Sequence, residues 1–307
     1  MNNYQVKLTD HKVESLKSQK NDGLDIIFAK QFWSRDVFGT GSIIAVMDSG
    51  IERNHPELID NIVDGRNFTQ DYEANINNYE DMLGHGTHVA GTIAATNKNA
   101  LIGVAPKAKL LILKTINNKG VGEIFDLVQA IYYAVNWRGE NGEKVNIISM
   151  SLGTKVNNTL LHEAIKYAVN NNISIVVSSG NDSNGMMDPQ YRYPGAYNEV
   201  IEVGSVGMTK KLSTFSNINE QIDIIAPGEG IYSTYLQNGY QTLSGTSMAA
   251  PFVAGALALL AEEGKILFKR ELTETELYAQ LVKSTTLLFG NPTIEGNGIL
   301  DLTKSYV

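Results

Sequence analysis

Ile43-Ile44-Ala45-Val46-Met47-Asp48-Ser49-Gly50 is a run of five apolar residues that ends on an acid and a glycine-containing turn. A short apolar run rich in β-branched residues, with no polar alternation, reads as a strand buried on both faces, the habit of parallel sheets. Such a strand delivers the residue that follows it to the carboxyl edge of the sheet, where sites form in open α/β folds. Here that residue is Asp48.

Outward from this stretch, similar runs recur at Leu110–Leu113, Val145–Met150, Ile173–Val177, Val200–Val203 and Ile222–Ile225. Amphipathic stretches at Glu123–Trp137 and Leu160–Asn171 lie between them. The alternation predicts an α/β fold of three layers, α/β/α, with a central, mostly parallel sheet covered by helices on both faces. Residues 1–40 read as a polar N-terminal arm, and 41–307 as one large domain that closes with a helix around Thr273–Lys283 and a turn at Asn297-Gly298.

Composition fits one such domain: 307 residues, 43% of them hydrophobic and 19% charged, suffice for a sizeable core. A net charge of −8 with dispersed basic residues argues against a nucleic-acid-binding face. Cysteine is absent, so there is neither a disulfide framework nor a thiolate metal site. The first residues lack the apolar core of a signal peptide, and no run reaches the eighteen apolar residues of a membrane span. A cytoplasmic protein with no membrane partner is the expectation.

Two further segments carry chemistry. Gly84-His85-Gly86-Thr87-His88-Val89-Ala90-Gly91 puts an imidazole at the start of a small-residue helix. Leu243-Ser244-Gly245-Thr246-Ser247-Met248-Ala249-Ala250-Pro251 sets a hydroxyl at a Gly-rich turn that enters the helix Ala249–Leu260, where unpaired N–H groups and the positive dipole end can meet a developing oxyanion. A serine is a poor nucleophile at neutral pH and needs a base to take its proton. His88 rivals His85 for that role but lies about one helical turn further on. A lipase-type hydrolase would need G-x-S-x-G, and Gly245-Thr246-Ser247-Met248-Ala249 lacks the second glycine.

The motifs DSG at 48–50, GHGTHVAGT at 84–92, SLG at 151–153, SSGN at 178–181 and GTSMAAP at 245–251 resemble, in order and spacing, those of the subtilisin-family (S8) serine proteases. The resemblance runs from about Ile43 to about Leu260. Stretches such as Asn136–Glu140, Tyr193–Ile201 and Glu295–Gly298 look most like the intracellular subtilisins. This implies a serine endopeptidase in which Ser247 attacks, His85 is the base and Asp48 orients it, with His88 structural. Asn181 would join the Ser247 backbone N–H in the oxyanion hole. A peptide or protein substrate would lie as an extended strand between Gly120-Val121-Gly122 and Ser151-Leu152-Gly153. Ile124, Leu127 and Leu152 would line an apolar pocket for the fourth residue before the cleaved bond. Arg192 would sit near the base of the primary specificity pocket with Asp182 at its rim, so that small or polar side chains such as Gln are accepted and large apolar ones rejected; the alternative is that Arg192 turns to solvent or pairs with a nearby carboxylate.

Several residues depart from the family pattern. The tract 95–103 occupies the family's calcium loop but is one residue shorter and carries Lys98, and Glu57 stands where an Asp ligand is usual. Calcium wants six to eight oxygens, so the expectation is that no metal or cofactor is required, with a surviving calcium site left open. Phe252 replaces the usual His after Pro251 and reads as helix packing. Tyr4–Asp10 reads YQVKLTD in place of the LIPY pro-segment. These departures suggest a processing protease such as a cytoplasmic lanthipeptide leader peptidase. The alternatives are a general degradative intracellular subtilisin and, from another class, an inactive binding or regulatory relative, against which the intact Asp48, His85, Ser247 and Asn181 argue. A homodimer stays open. His11, His55 and His162 read as solvated surface or loop residues.

Overall fold

A computed structural model of the chain describes residues 4–9, 11–14, 20–99, 101–183, 185 and 188–305. From the N-terminus come two short strands, β1 (Gln5–Leu8) and β2 (Lys12–Glu14), then two single-turn helices, α1 (Gly23–Ile26) and α2 (Lys30–Trp33). Next are β3 (Ile43–Asp48), β4 (Ile62–Asn67), α3 (His85–Ala94), β5 (Lys109–Lys114), β6 (Val121–Glu123) and α4 (Ile124–Asn136). They lead into β7 (Ile147–Met150), β8 (Leu152–Gly153), α5 (Thr159–Asn170), β9 (Ser174–Ser178), β10 (Ile201–Val206) and β11 (Ile222–Pro227). The hairpin β12 (Ile231–Tyr235) and β13 (Gly239–Ser244) enters the long helix α6 (Thr246–Phe268). The chain closes with α7 (Glu274–Lys283), β14 (Thr285–Thr286), α8 (Pro292–Glu295) and β15 (Ile299–Leu300).

The central sheet has the order β14-β15-β11-β10-β9-β7-β3-β5-β4 and is parallel except where β14 meets β15. Alternation along each strand divides the interior in two. Ile44 and Val46 of β3 face a core built with α3 and α6, while Ile43, Ala45 and Met47 face a second core built with α4 and α5. The three-layer α/β/α fold is therefore present, and each apolar run named from the sequence forms a strand of this sheet. The edge strand β4 was missed because IVDGRN carries no apolar run; its residues are mostly half-exposed or exposed.

α6 runs eight residues past the expected Leu260, since nothing breaks it before Lys269 adopts a left-handed φ of 57°. The arm also differs from expectation. Leu24, Ile27, Ala29 and Phe32 belong to the core that holds α3 and α6, and a Cβ on Gly23 would lie 2.4 Å from the Phe252 ring. Residues 20–40 thus pack into the domain, and Phe252 is a packing residue within it. No helix among the described residues is long and apolar enough to cross a membrane.

Candidate active site

Asp48 ends β3, and His85 opens α3 with its Nδ1 2.7 Å from Asp48 Oδ1; both side chains are buried. The helix can approach this closely only because residue 86 is glycine, where a Cβ would stand 2.2 Å from the Gly50 carbonyl oxygen. Asp81 locks the junction. Its Oδ1 accepts from Ser49 Oγ, Leu83 N and Gly84 N at 2.9–3.0 Å, and its Oδ2 from Thr87 N and Oγ1 at 3.0 and 2.7 Å. The sequence reading passed over Asp81, although an acid just before a helix start is a cap signal. With Nδ1 engaged by the carboxylate, the buried His85 Nε2 is left with no hydrogen-bond partner among the described residues.

Ser247 lies in the first turn of α6. Pro251 has no N–H, so the Ser247 carbonyl lacks its i+4 helical partner. Ser151 supplies the replacement: its hydroxyl donates to the Ser247 oxygen at 3.0 Å. In return the Ser247 hydroxyl donates to the Ser151 oxygen at 3.3 Å. The SLG and GTSMAAP motifs are thereby joined. Asn181 follows β9 and its Oδ1 accepts from both Thr246 N and Thr246 Oγ1 at 2.9 Å, which fixes the amide at the start of α6 with its NH₂ on the opposite side.

His88 is fully buried, with Nε2 3.0 Å from the Ile231 oxygen, and burial pushes its pKa down to about 3. It packs α3 against the hairpin. Lys114, at the end of β5, is also buried; its Nζ donates to the Ser49 and Ile116 carbonyls and to Asn118 Oδ1, and burial lowers its pKa. A lysine ending an apolar strand was the available signal for this tie across the turn after Asp48.

The segments expected to hold substrate are occupied by the chain itself. β1 inserts antiparallel between β6 and β8, pairing Val6 with Gly122, Lys7 with Val121 and Gly153, and Leu8 with Leu152. Leu8 N donates to the Gly120 oxygen and Thr9 N to the Ser151 oxygen, both at 3.4 Å. Val6 is fully buried in the cluster that includes Ile124, Leu127 and Leu152, the expected apolar pocket. On the other side of the triad, the His11 ring centroid is 5.0 Å from that of His85. Asp10 lies outside the described residues.

Asp182 and Arg192 form one unit: Arg192 Nε donates to Asp182 Oδ2 at 2.6 Å and the guanidinium closes a second bond to Oδ1. Burial alone would raise the Asp182 carboxyl, but Arg192, Asn217 and Lys155 outweigh it and hold the pKa at about 2. With Lys7, Leu8, Thr9, Gly153 and Asn181 this pair lines a cavity of about 50 Å³. The Arg192 aliphatic stem also leaves no room at Gly180, where a Cβ would meet Arg192 Cγ at 2.8 Å.

One other expectation changes: His55 is not solvated but fully buried, with Nε2 3.0 Å from the Gly239 oxygen. His162 stays partly exposed, stacked on Tyr197 at 4.0 Å beside Glu199. At the 95–103 loop, the buried Glu57 carboxylate accepts from the backbone N–H groups of Lys98 and Asn99 at 2.8 Å and of Leu101 at 3.3 Å, and from Tyr240 OH at 3.3 Å.

This fold with this constellation defines a subtilisin-like serine endopeptidase, and residues 39–298 match the subtilase family model. The chain belongs to that family. It is similar to the intracellular serine protease of Paenibacillus polymyxa, with 46% identity over 97% of this chain and 91% of the relative. The major intracellular serine protease of Bacillus subtilis is 45% identical over 92% and 88%, and thermitase of Thermoactinomyces vulgaris 38% identical over 81% and 84%.

Proposed function

We propose that this chain is an intracellular endoprotease of general degradative type that carries its own N-terminal segment as a plug in the substrate cleft. The location and role draw support from the intracellular serine proteases that it resembles. None of the names of these relatives concerns leader peptides, so the degradative alternative becomes the main reading. Ser247 attacks the carbonyl of the bond to be cleaved after its hydroxyl leaves the Ser151 oxygen for His85 Nε2. Asp48 holds the imidazole with Nε2 forward and stabilises the cation that forms, and His85 returns the proton to the leaving amine. Asn181 and the Ser247 N–H meet the oxyanion.

The observation that carries the plug is the shared carbonyl: Thr9 N and Ser247 Oγ both donate to the Ser151 oxygen. This sets Thr9 where the residue before a cleaved bond belongs, and Val6 where the fourth residue before it belongs. Val6→Asp tests the idea, because a carboxylate forced into the apolar pocket costs several kcal/mol and favours departure of the segment. The variant is expected to hydrolyse a short peptide amide about 10-fold or more faster than the parent; equal rates would refute the plug.

We propose further that no calcium serves the 95–103 loop. Glu57 meets a ring of N–H donors, the polarity opposite to that of an oxygen-lined cation site. A sequence-selective processing enzyme, such as a lanthipeptide leader peptidase, keeps one observation in its favour, the pocket closed by Arg192 and Asp182. Cleavage profiling on a peptide library separates the readings: broad cleavage supports degradation, a single tolerated motif supports processing.

A further inference from the structure

β9 ends at Ser178, and Ser179 N still donates to the Val203 oxygen of β10 at 3.0 Å; beyond it the chain leaves the sheet in the turn Gly180-Asn181-Asp182. Main-chain groups that leave a ladder in a buried place must find partners elsewhere. Here one residue supplies them. Asn217 is fully buried; its Nδ2 donates to the Ser179 oxygen at 2.9 Å, its Oδ1 accepts from Asp182 N at 2.7 Å, and its own N donates to the Gly180 oxygen at 3.0 Å. Nδ2 also donates to Asp182 Oδ2 at 3.2 Å. These bonds bracket Asn181 on both sides.

The chemistry of this place calls for an amide. The Ser179 oxygen can only accept and Asp182 N can only donate, so the side chain between them must carry a donor and an acceptor side by side. A carboxylate would face the Ser179 carbonyl and the Asp182 carboxylate with no proton to offer. Close approach also needs glycine at 180, where φ is +106° and a Cβ would lie 2.5 Å from Asn217 Nδ2. Asn217 is itself anchored to β10, since Ser205 N donates to Ser216 Oγ at 2.9 Å and Ser213 N to the Ser205 oxygen at 3.0 Å. A continuous set of bonds thus runs from β10 through Asn217 to Asn181, whose Oδ1 receives Thr246 N beside the nucleophile.

We infer that Asn217 is a positioning residue for the reaction: it holds the turn that carries the Asn181 amide at its place against Ser247. The inference rests on the proposed role of Asn181 as an oxyanion donor. Being fully buried, Asn217 acts only through that turn. A donor fixed in advance stabilises developing charge without having to move, so a turn that loosens should cost turnover more than substrate binding.

The test is a double-mutant cycle in the full chain: the parent, Asn217→Ala, Asn181→Ala and the double variant, each shown to be folded by circular dichroism. The substrate is a peptide amide with Ala before the cleaved bond, whose small side chain makes least use of the Arg192–Asp182 wall. Turnover is read at saturating peptide, where a competing N-terminal segment has no effect on kcat. Asn181→Ala is expected to lose about 10²–10³ in kcat, the scale for one oxyanion donor. Asn217→Ala is expected to lose about 10-fold or more in kcat with KM within about 3-fold, and the double variant to match Asn181→Ala, because residues that act through one group do not add. Parental kcat in Asn217→Ala, or losses that multiply in the double variant, would overturn the positioning role while leaving Asn181 as the donor. Parental kcat in Asn181→Ala would instead refute the oxyanion reading, and the positioning of Asn181 with it. If Asn217→Ala does not fold, Asn217→Ser takes its place in the same cycle and is judged by the same outcomes.

Discussion

Arg192 grips Asp182 through two parallel hydrogen bonds, Nε to Oδ2 at 2.6 Å and NH2 to Oδ1, and the pair lines a cavity beside Thr9, the proposed entry for the side chain preceding the cleaved bond. A planar guanidinium on a carboxylate is a rigid wall, and the pair is further tied to Asn217. With Thr9 in place the remaining space is about 50 Å³, close to the share of one or two waters and far from an aromatic ring.

Peptides with Thr, Ala or Gln before the cleaved bond should therefore be preferred over those with Phe by about 10² in kcat/KM, the scale of steric discrimination by pockets. Arg192→Gly should erase most of that difference. A wild-type preference for Phe, unchanged in Arg192→Gly, would show that this ion pair does not shape the pocket.

Ser247→Ala should lower kcat by about 10⁴ or more while leaving the melting temperature near that of the parent, since a small hydroxyl is removed and the helix is kept. Asp48→Asn should lose on the order of 10⁴ by favouring the wrong histidine tautomer. Full activity in highly purified Ser247→Ala would remove Ser247 from the mechanism.

Ser151→Ala should cost about 1–3 kcal/mol, because the Ser247 carbonyl left open by Pro251 then has no donor in a buried place. Chemical denaturation measures the loss. A variant as stable as the parent would mean that water replaces the hydroxyl without penalty.

Glu202 and Asp223 make stability fall as pH rises. Glu202 is fully buried and its pKa is pushed well above the usual range by burial and by the neighbouring Asp223 and Glu220; burial raises Asp223 to about 6. A carboxyl with a raised folded pKa binds more protons folded than unfolded, so the deficit opens above the unfolded value near 4 and is complete above the folded one. For Asp223 this window ends near pH 6 and is on the order of 3 kcal/mol. Asp223→Asn and Glu202→Gln should each flatten the decline in unfolding free energy between pH 4 and 8. A slope identical to that of the parent would contradict the assignment.

Glu57→Gln should destabilise by about 3 kcal/mol or more, since hydrogen bonds to a buried charge are worth roughly 1.5–3 kcal/mol each and the Glu57 carboxylate accepts several. A chelator should move the melting temperature little, as only a ligand of the native state stabilises by mass action. A large drop on chelation that calcium reverses would refute this reading of the loop.

The sequence by itself determined the layered fold, because strands buried on both faces must be continuous apolar runs, and Ile43–Met47 and its counterparts are legible without any partner. The order of Asp48, His85 and Ser247 was equally legible, since each stands at a strand end or helix start whose local pattern is short-range. Only the tertiary structure decided what depends on distant pairings. That Gln5–Leu8 lies between β6 and β8, that His55 is buried and that Ser151 completes the helix broken by Pro251 all join residues far apart in the chain, and even the ten-residue step from Asp182 to Arg192 must fold back to pair the two. A polar segment such as YQVKLTD has no periodicity that names its partner, because strand addition is made by backbone groups that every residue carries.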